Sequence, residues 1–119
     1  MKAVVCNAFG PPENLTVEEC LDPEPAEGQL LVEVKAAPVT FPDTLMLEDK
    51  YQFKAQPPYI PGGEVTGVVV AVGKGITGWA VGDRVSGGLG VTGAYAELAL
   101  VTASQARRLP ENVGYAEAT

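Results

Sequence analysis

Apolar and polar positions alternate most clearly between Gln29 and Pro38. From Leu31 onward, Leu31, Glu33 and Lys35 share one face, while Leu30, Val32, Val34 and Ala36 share the other. A period of two over that length predicts a half-buried strand. Upstream, Lys2 to Ala8 is rich in β-branched and small apolar residues and is broken by Gly10-Pro11-Pro12. Leu15 to Leu21 then alternates loosely, so these two runs predict a hairpin. The segment Asp22 to Gly28 carries Pro23, Pro25 and Gly28, which cannot enter a central sheet, and is expected as a surface connection.

Downstream, Pro42 stands where a helix begins. Phe41 is held extended before it and Asp43 lies in the first turn, favourable to the helix dipole, so one short helix is expected over Asp43 to Asp49. Val65 to Val72 has valine at nearly every position and reads as a strand buried on both faces. Val81 to Val85 and Ala94 to Val101 are further strands, the second read as strand although its alanines and leucines also suit a helix. Many short strands punctuated by Gly and Pro, with one minor helix, predict a mainly β barrel or sandwich. The last stretch, from Leu109-Pro110 to Thr119, ends in a helix-like Tyr115-Ala116-Glu117-Ala118, and the chain is expected to be cut at the start of that helix.

Composition narrows the function classes. A chain of 119 residues is the size of one domain. Acidic residues outnumber basic ones 15 to 8, and the basic ones are scattered, so no stripe for a phosphate backbone exists and nucleic acid is not expected as a partner. No apolar run approaches the ~20 residues of a membrane span, and Met1 to Asn7 lacks a signal peptide's long apolar region, so a cytoplasmic protein is expected. Cys6 and Cys20 are too few for a disulfide scaffold. With no histidine in the chain they are poor zinc ligands, and they read as thiols in a reducing compartment.

Gly88-Leu89-Gly90-Val91-Thr92-Gly93 matches the G-x-G-x-x-G spacing, but a dinucleotide site needs those glycines to open a helix after a buried parallel strand. The position about 20 residues on, where a ribose-binding carboxylate belongs, falls near Arg108 and Leu109. The motif is read as a glycine-rich loop between two strands.

The block Pro61, Gly62, Glu64, Gly67, Val69, then Val72-Gly73, then Gly82-Asp83-Arg84-Val85 is more specific. It resembles the N-terminal GroES-like domain of the medium-chain dehydrogenase/reductase superfamily. The opening Met1 to Val4, the Gln29 to Ala37 strand, Gly93 to Glu97 and the Leu109-Pro110 turn are similar too, so the resemblance covers the whole chain, residues 1–119. It implies a GroES-like, partly open β-barrel with one or two short helices. Zinc alcohol dehydrogenases of that superfamily carry a cysteine three residues before an aspartate, and a histidine within Gly-His-Glu. Here Thr40 stands before Asp43 and Gly63 takes the histidine's place, so no metal is expected. Val39 to Tyr51 is similar instead to the Val-Asn-x-x-Asp segment of the zinc-free NADPH:quinone oxidoreductases, with Thr40 for the asparagine and Leu45 where some members place a tyrosine. Threonine keeps a donor and an acceptor but shortens the reach.

The resemblance implies hydride transfer from NADPH to a quinone or enone, with Thr40, Asp43 and Tyr51 orienting groups in the cleft beside the nicotinamide. Each residue also has a plain structural role: strand end, first-turn acid and apolar lid. Glu64 and Asp83 read as loop-holding acids. The family's Rossmann domain is absent from the chain, so tight NADPH binding and activity are not expected of it alone. Missing strands would leave a barrel edge through which the chain is expected to form a homo-oligomer. Two further readings are a non-catalytic oligomerisation or partner-binding module and a subunit completed by a separate cofactor-binding chain.

Overall fold

The computed structural model describes residues 1–52 and 54–119. β1 (Lys2–Val5) and β2 (Thr16–Glu19) form the expected hairpin, an antiparallel pair with Val4 opposite Val17. A second, wholly antiparallel sheet is built from β3 (Gln29–Ala36), β4 (Glu64–Val72), β5 (Arg84–Gly88), β6 (Leu98–Thr102) and β7 (Ala106–Arg108), in the order β6-β3-β4-β5-β7. Backbone hydrogen bonds lace the sheets together: the Val4 N–H donates to the Tyr95 carbonyl at 2.8 Å, and the Glu97 N–H donates to the Lys2 carbonyl at 3.0 Å. The result is a partly open barrel.

Alternation in β3 governs its burial. Leu30 and Val32 are fully buried, whereas Glu33 and Lys35 are exposed. With Val65, Val69, Val85 and Val101 they form the core cluster. Burial of such side chains stabilises by about 1.5–3 kcal/mol each.

β4 departs from the expectation of burial on both faces. Val65 to Gly67 and Val69 are buried, but Val70 is 36% exposed. The cause is a bulge: Val32 stands opposite Val69 and Leu31 opposite Ala71, so Val70 is an extra residue with no partner on β3. β5 itself runs over Arg84–Gly88 and not Val81 to Val85. Gly82 adopts φ +98°, and the Asp83 carboxylate accepts the Ala80 N–H at 2.9 Å, which builds a turn where a strand was expected. Arg108 locks this turn from β7, bonded to Asp83 at 3.1 Å and to the Gly78 carbonyl, its guanidinium 4.6 Å from the Trp79 ring centre.

β6 is a strand and not a helix, but it begins at Leu98. Residues 94–97 serve a turn instead: the Tyr95 N–H donates to the Pro61 carbonyl at 3.0 Å, and Ala96 bridges to Ala3. β7 was not predicted. It has three residues, two of them adjacent arginines with no apolar alternation, and charge of this kind suits an edge strand.

The helix, α1, spans Phe41–Leu47, starting before Asp43 and ending before Asp49. Thr40 is the N-cap and Asp43 the third helical residue of a capping box, so Phe41 enters the helix, overriding the extended preference that Pro42 imposes on it. At the other end Asp49 turns left-handed at φ 58°. Its N–H donates to the Met46 carbonyl and that of Lys50 to the Leu45 carbonyl, a Schellman closure. Single 3-10 turns occur at Pro12–Asn14 and Ala103–Gln105, and Gly114 to Ala118 makes one further turn. Cys6 and Cys20 are free thiols. No helix among the described residues is long and apolar enough to cross a membrane.

Candidate functional site

The N-terminus of α1 assembles a polar cluster around Asp43, which is only 5% exposed. The Thr40 N–H donates to Asp43 Oδ2 at 2.9 Å, and the Thr40 hydroxyl donates to the same oxygen at 3.0 Å. A third donor comes from the turn ahead of β6: the phenol of Tyr95 reaches Asp43 Oδ2 at 2.8 Å. Its alternative acceptor, the Pro38 carbonyl, is farther at 3.2 Å, and a hydroxyl gives one proton at a time, so the carboxylate takes it. Burial first, and then the bond to the Asp43 carboxylate and its charge, push the Tyr95 phenol well above its ordinary value. Tyr95 is therefore a fixed donor at neutral pH.

Beside this cluster opens a cleft of about 300 Å³. One wall is Thr40, Pro42, Asp43 and Tyr51; the other is Gly63, Glu64, Gly90 and Val91. The structure thus brings Thr40, Asp43 and Tyr51, assigned from sequence, to one place. It adds a wall from the Gly88 to Gly93 loop, which joins β5 to β6 and opens no helix. Gly63 sits tight in that wall, since a Cβ there would lie 2.5 Å from the Gly90 carbonyl oxygen. A second groove of about 310 Å³, with Ser86, Gln105 and Arg107 on its walls, shares Glu64 with the cleft. Asp83 is remote from both, held in its turn by Ala80 and Arg108.

Tyr95 was not singled out from sequence, because nothing in local spacing connects residue 95 to residue 43. Its only signal was its place in the Gly93 to Glu97 block. The chemistry available in the cleft is hydrogen bonding to a polar ligand: a threonine hydroxyl and a tyrosine phenol on one wall, a buried carboxylate behind them, and on the other wall Glu64 and Val91 beside two glycines, Gly63 and Gly90, against which a flat ligand can lie.

A family model described as the alcohol dehydrogenase GroES-like domain matches residues 26–111. The quinone oxidoreductase of Lama guanicoe is 35% identical over 116 residues, which cover 97% of this chain and 35% of the relative. Among solved structures, Escherichia coli quinone oxidoreductase complexed with NADPH superposes with a TM-score of 0.90 at 30% identity, covering 97% of this chain and 35% of that one. Human synaptic vesicle membrane protein VAT-1 homolog-like protein superposes at 0.95, also at 30% identity, over 100% of this chain and 39% of that one. The chain therefore spans well under half the length of the relatives it matches.

Proposed function

Because the chain belongs to the alcohol dehydrogenase GroES-like domain family, we propose that its cleft is the acceptor-side half of a hydride-transfer site for a quinone or a related enone. The observation that carries this is the convergence of Thr40, Asp43 and Tyr51 on one cleft. Asp43, held by three donors on one oxygen, fixes the orientation of Thr40. The Tyr51 phenol then serves as a donor to the acceptor's carbonyl oxygen, where negative charge develops on reduction, and the Thr40 hydroxyl joins it by turning its one proton away from Asp43, which keeps the Thr40 N–H and Tyr95 as donors. The side-chain-free wall at Gly63 and Gly90 receives the flat ring.

NADPH, when bound, would supply the hydride. This chain does not fit the cofactor's phosphates. A pyrophosphate cradle requires backbone amides at the opening of a helix that follows a strand, but the Gly88 to Gly93 loop runs into β6, and the first turn of α1 carries the carboxylate of Asp43. The residues of this chain are accordingly assigned to the acceptor and to the nicotinamide edge alone, with the phosphates held elsewhere. Neither Thr40 nor Gly63 offers the nitrogen or sulfur donor that zinc takes, so the reading uses no metal. Two free thiols suit a reducing, cytoplasmic setting.

Titration of the chain with duroquinone, followed by amide NMR shifts, tests the reading. Perturbations centred on Thr40, Tyr51, Gly63 and Gly90 are expected; no perturbation there overturns it. A second reading, self-association, is favoured by β6, an edge strand whose Leu98 and Leu100 line an apolar groove of about 210 Å³. Sedimentation at several concentrations tests it, a monomer throughout being the contrary result.

A further inference from the structure

The Gly88 to Gly93 loop, which has the spacing of a dinucleotide motif without its context, forms one wall of the cleft through Gly90 and Val91. That wall is anchored at both ends. The Leu89 N–H donates to the Gly63 carbonyl at 2.8 Å, the Gly93 N–H donates to the Ile60 carbonyl at 2.7 Å, and Thr92 bridges to Pro61. Its middle cannot recede toward the barrel, because the Gly90 carbonyl already packs against Gly63 closely enough to exclude a Cβ. Of the two loop residues that line the cleft, Gly90 and Val91, only Val91 carries a side chain.

We propose that Val91 is the residue that sets how large a ring system the cleft admits. The inference rests on the acceptor-cleft reading above and adds the determinant of size. Across from Val91 stand Thr40, Pro42 and Tyr51 on the α1 side. Thr40 is tied to Asp43, and Asp43 to Tyr95, so that wall is also fixed. Between the tethered loop and the fixed Thr40–Asp43 pair, the branched side chain of Val91 is an adjustable dimension. Trimming it lengthens the space available to a fused ring system, and enlarging it closes that space. One or two methyl groups in an apolar site typically change discrimination by about tenfold or more.

The test is the ratio of dissociation constants for two quinones that lack a site for thiol addition: duroquinone, with one ring, and 2-(hydroxymethyl)-9,10-anthraquinone, with three. Wild-type chain, Val91→Ala and Val91→Phe are titrated by NMR, the spectra themselves confirming that each variant is folded. Expected is a fall of about tenfold in the three-ring to one-ring Kd ratio for Val91→Ala, and a rise for Val91→Phe. Should Val91→Phe not fold, Val91→Ala decides alone. A ratio unchanged within about twofold, with duroquinone still bound in the cleft, overturns the role of Val91 and leaves the acceptor reading standing. Failure of both quinones to bind the wild-type chain overturns both.

Discussion

The phenol of Tyr95 donates to Asp43 Oδ2 across 2.8 Å, joining the turn ahead of β6 to the first turn of α1. The same oxygen receives both the N–H and the hydroxyl of Thr40. A short helix of seven residues has little stability of its own, so its position over the barrel depends on such ties. Asp43 is at once the acid that completes the helix cap and the anchor that holds one wall of the cleft.

Tyr95→Phe is expected to destabilise the chain by about 1.5–3 kcal/mol, because it deletes one partner of a hydrogen bond to a buried charged group. Tyr59 provides the contrast. Its hydroxyl is buried and meets no hydrogen-bond geometry among the described residues, with only a weak interaction with the Cys6 thiol, so Tyr59→Phe should leave stability unchanged or raise it by up to about 1 kcal/mol. Urea unfolding of both variants checks this; equal losses would show that ring packing, and not the Asp43 bond, makes Tyr95 important.

These two tyrosines also predict an alkaline limit. Burial and the Asp43 carboxylate raise Tyr95, and burial first, then Cys6, raises Tyr59 to about 12, both from an ordinary value of 10.0. A phenol whose pKa is raised by folding stabilises fully below the unfolded value, and that contribution disappears as pH climbs through the folded one. The urea midpoint should therefore be insensitive to these groups below pH 10 and fall above it. The fall should be shallower in Tyr95→Phe and shallowest in the Tyr59→Phe, Tyr95→Phe double variant. A double variant that falls as steeply as wild type would show that other groups set the limit.

The cleft wall predicts the cost of a side chain at residue 63. A Cβ there would meet the Gly90 carbonyl oxygen, a backbone atom, at 2.5 Å, with the loop tethered on both sides. Gly63→Ala should then destabilise by about 1–3 kcal/mol and shift the Gly90 and Val91 amides, since only loop movement relieves the contact. A thermal melt and an NMR spectrum matching wild type would show that the loop yields freely. Gly63→His should suffer at least as much, so placing a histidine at this position requires more than one substitution.

Much of this was legible in sequence because it depends on local periodicity. The alternation from Leu31 to Ala36 places Leu30 and Val32 in the core, and family resemblance alone points to Thr40, Asp43 and Tyr51. The errors share a cause of another kind. Val81 and Val85 look like one strand, but Gly82 and the Asp83 carboxylate bend the chain between them, so side-chain hydrogen bonding defeated β propensity. Val70 is exposed because it is the extra residue of a bulge opposite Leu31 and Val32, which is a matter of register. Tyr95 escaped notice because its partner is 52 residues away, a pairing only the closed fold creates.

Thr40 separates a structural from a binding role. As N-cap and donor to Asp43 it contributes to helix stability, and Thr40→Ala should cost about 0.5–2 kcal/mol while the backbone N–H to Asp43 survives. Asparagine is at least as good an N-cap as threonine, so Thr40→Asn should restore that loss, and its longer amide reaches farther into the cleft. If Thr40 contacts the acceptor, duroquinone should bind Thr40→Ala several-fold more weakly than wild type and bind Thr40→Asn at least as well as wild type. Stability and affinity then change together in the alanine variant, and the asparagine variant recovers both. If Thr40→Ala binds duroquinone as wild type does while losing stability, Thr40 is a helix cap alone, and the carbonyl of the acceptor must be held from Tyr51.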